Sequence, residues 1–71
     1  MELIGGYLKK IRERNHLSLN TVSKNLNLST YLLQSIENDD FSNLPTGSYT
    51  IAYIRSYANF LNLDADEIVQ L

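Results

Sequence analysis

The sequence has no cysteine, so disulfides, thiolate nucleophiles and cysteine-built metal cages are all excluded, as fits a reducing compartment. No apolar run exceeds a few residues, far short of the roughly twenty that a membrane-spanning helix needs, and MELIGGYLKK lacks the order of a secretory signal. A soluble chain is therefore expected. Glycine is scarce, and Gly5 and Gly6 precede no strand pattern, so there is no phosphate-cradling loop. The single histidine, His16, lies among polar residues with no cysteine or close carboxylate pair beside it. No segment repeats or is low in complexity. Without a paired acid and base, or a nucleophile with its activator, neither an enzyme nor a metal or cofactor site is expected.

What is present is short and unevenly charged. Seventy-one residues make one domain, which buries only about 60% of the surface its unfolded chain exposes and so has a thin margin of stability. The net charge of −2 and pI near 5.1 argue against a freestanding nucleic-acid binder, whose affinity comes largely from neutralising phosphates. Yet Lys9, Lys10, Arg12, Arg14 and Lys24 all fall in the first third, and the remainder is acidic apart from Arg55. A basic first helix is either a solvated face or a phosphate contact.

The pattern is helical throughout. From Leu17 to Asn38 the chain reads as two short helices joined by a tight turn, a helix-turn-helix over about residues 18–37. Ser18 and Ser29 are N-caps and Asn27 a left-handed stop; Leu19, Val22 and Leu26, then Leu32, Leu33 and Ile36, make the inner faces. Thr30, Tyr31, Gln34, Ser35 and Asn38 are left facing outward. Before this pair, a helix ending at Arg14 turns Ile4, Leu8 and Ile11 inward, its start weakened by Gly5 and Gly6. After it, residues 39–46 form a loop that Phe41 and Leu44 pin to the core, and Pro45 sets the start of the next helix.

That fourth helix, about residues 46–61, is the least ordinary stretch. At about 100° per residue, Tyr49, Tyr53, Tyr57 and Phe60 share one narrow arc, and Ile51, Ile54, Ala58 and Leu61 extend it well beyond a half-circle. A helix of so small a domain buries a stripe little wider than about 100°. Either a further helix covers the excess or tyrosines remain exposed for a partner. Asn62 ends this helix, and Leu63, Asp64, Glu67 and Ile68 form a capping box and hydrophobic staple for a fifth; Asp64, Asp66 and Glu67 compensate its dipole and are not an acid/base cluster.

Five short helices with the second and third as the hairpin resemble the lambda-repressor/Cro-like helix-turn-helix fold, an all-α class. More closely, IGGYLKKIRERNHLSLNTVS, YLLQSIENDDFSNLP and SYTIAYIRSYANFLNLDADEI resemble the amino-terminal cytoplasmic domain of the RodZ family of bacterial cell-shape proteins. The resemblance covers nearly the whole chain. It implies a domain at the cytoplasmic face of the inner membrane, tethered through a segment not among these residues, that binds the actin-like filament protein MreB through aromatics of the fourth helix. Carried over by position, the contacts are Tyr49 and Tyr53, with Tyr57 next on the same arc. Ala52 departs from the family's usual glycine, Tyr53 from its frequent phenylalanine and Ile51 from a commonly basic residue. The resemblance to repressor-type domains implies an ion pair between Arg12 and Glu37, joining the first and third helices. The alternative function is sequence-specific DNA binding, with Thr30, Tyr31, Gln34 and Ser35 in the major groove and Gln34 paired to adenine.

Overall fold

Serine hydroxyls set where the second and third helices begin. In the computed structural model, which describes residues 3–42, 44 and 48–69, five helices follow in order: α1 Ile4–Arg14, α2 Leu19–Leu26, α3 Thr30–Glu37, α4 Ser48–Phe60 and α5 Ala65–Val69. No strand occurs among the described residues. Ser18 Oγ accepts from the Thr21 amide at 3.1 Å and Ser29 Oγ from the Leu32 amide at 3.1 Å, so each hydroxyl satisfies one amide that the first helical turn leaves without a partner. Between the two caps, Asn27 takes the left-handed conformation at φ 57°. The Leu28 amide then returns to the Ser23 carbonyl at 3.2 Å, while Ser23 Oγ donates to the Leu28 carbonyl. Ser23 thus fastens the turn twice, through its carbonyl and through its hydroxyl.

The other connections use the same device. The first four helices each give way to a left-handed residue, His16, Asn27, Asp39 and Asn62, and none of these is glycine. Past Asn62, the Leu63 amide reaches the Ala58 carbonyl at 2.9 Å and Asp64 Oδ1 accepts from the Glu67 amide at 3.2 Å, which starts α5.

All five helices contribute to one core, built from Leu8, Val22, Leu33, Ile36, Ile54, Tyr57, Ala58, Leu61, Ala65 and Ile68. At the start of α1, one of the glycines expected to weaken the helix also has a packing role. The helix begins at Ile4 and buries Gly5 against the end of α3. A Cβ on Gly5 would stand 1.9 Å from the Ile36 carbonyl oxygen and 2.8 Å from that of Glu37, so only glycine permits this approach of two backbones. Leu3 offers no side-chain cap; instead Asp39 Oδ1, from the turn after α3, accepts from the Gly5 amide at 2.8 Å. The loop differs from expectation. Leu44 packs on the core, but Phe41 is exposed, at 39%. Pro45 and Thr46, expected to begin the fourth helix, lie outside the described residues.

Candidate partner surface on the fourth helix

The contacts of α4 divide its circumference into a buried stripe and two shoulders. At about 100° per residue, Tyr57, Ile54, Ala58 and, just past the helix, Leu61 lie roughly 80° to 180° from Tyr49, and all four are buried. That stripe, about 100° wide, is what so small a core can hide. On one shoulder, Tyr49, Phe60 and Tyr53 fall within about 40° of one another. Tyr49 is 62% exposed, and Tyr53 and Phe60 are half-buried, with part of each ring packed on the core. On the other shoulder Ile51 is 44% exposed. Ala52, between the shoulders, is exposed as well.

Tyr57 is therefore corrected as a contact residue: its side chain is 0% exposed. Sharing an arc with Tyr49 and Tyr53 fixes an angle about the helix axis but not a depth, and Tyr57 lies two turns further along, where α4 enters the core. Its hydroxyl has a specific partner there, donating to Glu37 Oε2. The same oxygen accepts from Arg12 Nε at 2.6 Å, Glu37 Oε1 accepts from Arg12 Nη2 at 3.0 Å, and Arg12 Nη1 donates to the Leu17 carbonyl at 2.8 Å. One buried carboxylate thus joins α1, α3 and α4. The hydrogen bonds to Glu37 hold the Arg12 guanidinium more firmly protonated than usual, against the opposing effect of burial. Burial first, then the bond to Glu37, pushes the Tyr57 hydroxyl above the ordinary tyrosine range. Sequence spacing gave no sign of this hydroxyl's role.

The outward face of α3 also needs one correction. Thr30, Tyr31 and Gln34 are exposed, Tyr31 to 61%, but Ser35 is only 7% exposed and faces the interior. At about 100° per residue Ser35 lies only about 60° from Leu32 and 100° from Ile36, close enough to the inner face to be covered. Lys24 is the only lysine or arginine between Leu17 and Asn38. Near the end of α4, Arg55 pairs with Asp66 on the surface, so Asp66 bridges two helices besides lying in the first turn of α5. Among the described residues no group of three histidines or carboxylates could hold a metal, and no helix is long and apolar enough to cross a membrane.

Comparison with known proteins agrees with the helix-turn-helix fold. A family model described as a helix-turn-helix domain matches residues 7–68. Over 66 residues the chain is 36% identical to the cytoskeleton protein RodZ of Streptococcus pneumoniae, covering 93% of this chain and 24% of that protein. It is 37% identical over 60 residues to an uncharacterised protein of Haemophilus influenzae, covering 83% of this chain and 20% of that one. The chain thus spans a quarter or less of the length of these two relatives. Among solved structures, YmfM of Staphylococcus aureus, described as a candidate DNA-binding membrane protein, superposes with a TM-score of 0.92 at 30% identity, over 97% of this chain and 84% of that one. With all but its two ends matched by the model, the chain belongs to this helix-turn-helix domain family, and its sequence is similar to that of RodZ.

Proposed function

We propose that the chain is a protein-binding adaptor that docks on the actin-like filament protein MreB through α4, in bacterial cell-shape maintenance. On this reading it is the cytoplasmic part of a membrane-anchored protein at the inner membrane. The observation that carries the reading is the exposed ring of Tyr49 beside the half-buried ring of Tyr53 on one shoulder of α4. Tyrosine suits such a place because it offers a large rigid apolar face with a polar tip. The similarity to a cytoskeleton protein and to a membrane protein supports it. In co-sedimentation with MreB filaments, Tyr53→Ala is expected to weaken binding by more than about 1 kcal/mol, as a central interface aromatic does. Undiminished pelleting of a folded Tyr53→Ala chain would overturn the assignment.

A second reading, DNA binding through α3, is favoured by the exposed Thr30, Tyr31 and Gln34 and by the description of YmfM. Gln34 can present a donor and an acceptor to adenine. The outward face nonetheless lacks a cation on α3, and few phosphate contacts leave the counterion-release contribution small. Titration against duplex DNA at two salt concentrations separates the readings: submicromolar, salt-sensitive binding would place DNA first.

A further inference from the structure

Because α4 carries more apolar side chains than the core takes, burial alone does not decide which of them face inward. The buried stripe runs from Tyr57 through Leu61 and Ile54 to Ala58, about 80° to 180° around the helix from Tyr49. Turned about its axis by about 60°, α4 would present Phe60, Tyr53, Tyr57 and Leu61 instead, a stripe of the same width. Tyr53 and Phe60, half-buried as they stand, would go fully inside, while Ile54 would move to the edge of the stripe and Ala58 into solvent. Each aromatic ring buries about 150 to 250 Å² when covered, so the two orientations hide comparable apolar surface. Apolar burial has no direction and does not separate them.

A hydrogen bond does separate them, because it fixes where its donor stands. The Tyr57 hydroxyl donates to Glu37 Oε2, and two N–H groups of Arg12 hold that carboxylate in turn. The acceptor therefore belongs to the frame of α1 and α3 and does not follow α4. The Arg55–Asp66 pair joins α4 to α5 on the surface and does not tie α4 to that frame. The turned orientation would carry the hydroxyl out of reach of Glu37 and leave a buried donor without its acceptor. We infer that the Tyr57 hydroxyl is a positioning group, whose bond to Glu37 selects the orientation of α4 that keeps Tyr49 and Tyr53 at the surface. Directional bonds between buried polar groups can set register in this way where apolar contacts leave it open. The inference concerns the chain alone and stands whatever α4 binds.

The test is nitration of the folded chain by tetranitromethane, with each tyrosine followed by peptide mass spectrometry. Tyr31, exposed on α3, is the internal standard, and Tyr7, half-buried on α1, reports general loosening. In Tyr57→Phe, which keeps the ring and removes the hydroxyl, nitration of Tyr53 relative to Tyr31 is expected to fall severalfold, with that of Tyr7 unchanged. Arg12→Met with Glu37→Leu removes the acceptor instead and is expected to give the same fall. A purely stabilising bond would act in the opposite sense, since a looser fold raises the reactivity of every half-buried phenol, Tyr7 included. A Tyr53 to Tyr31 ratio that is unchanged or raised in either folded variant overturns the inference. Loss of the folded state in either variant overturns it as well, because the bond would then be holding the fold together and not choosing between two orientations.

Discussion

Glu37 accepts from three side-chain donors at once, two N–H groups of Arg12 and the hydroxyl of Tyr57. Its side chain is 3% exposed and that of Arg12 11%, so neither charge has water to fall back on. Glu37→Ala is therefore expected to cost about 3 to 5 kcal/mol in urea unfolding, since it strands a buried guanidinium, whereas Arg12→Met with Glu37→Leu costs far less. A loss under about 1 kcal/mol in the single variant would mean that the pair is screened by solvent. Tyr57 adds a pH dependence. Its folded pKa is raised above the ordinary value of 10.0, so folding favours the neutral phenol. That contribution is complete below about pH 10 and is lost as pH rises from there toward the folded value. Unfolding free energies measured between pH 8 and 11 should fall more steeply for wild type than for Tyr57→Phe; parallel curves would contradict the assignment. The resemblance to repressor-type domains had pointed to Arg12 and Glu37, but periodicity could not have pointed to the hydroxyl. An arc on a helix says which way a ring faces and nothing about what lies beneath it.

Among the helices, the connections written in common capping chemistry were legible and the others were not. Ser18, Ser29, Asn27, Asn62 and Asp64 are residue types with a local reason to start or stop a helix. His16 and Asp39 take the same left-handed conformation without advertising it. Asp39 in addition caps α1 from 34 residues away, a contact no local pattern encodes. The packing role of Gly5 was hidden for the same reason: its cost to helix propensity is local, and its use against Ile36 and Glu37 is tertiary. Two substitutions test these elements. Ser29→Ala should destabilise the chain by about 1 kcal/mol through the lost cap, read from its denaturation midpoint. Gly5→Ala should cost about 1 to 3 kcal/mol or more, because both clashing atoms are backbone oxygens that cannot rotate aside. A Gly5→Ala chain as stable as wild type would show that α1 and α3 do not approach this closely.

For the molecule as a whole, the deciding feature is how little of α4 the other helices can cover. The hydropathy of that helix was legible: more apolar positions than one packed face accommodates. Which of them remain outside was not, because that depends on where α4 meets the rest of the fold. The stripe through Ile54, Tyr57, Ala58 and Leu61 goes in, and the earlier turns leave Tyr49 and Ile51 out. Tyr49 gives the most direct test, since its ring is mostly solvated and its loss should change folding stability by no more than about 0.5 kcal/mol. The measurement is the dissociation constant of wild type and Tyr49→Ala for MreB filaments, taken beside their unfolding free energies. Tyr49→Ala is expected to bind about tenfold or more weakly with its stability unchanged. Equal affinities, with both chains folded, would contradict it.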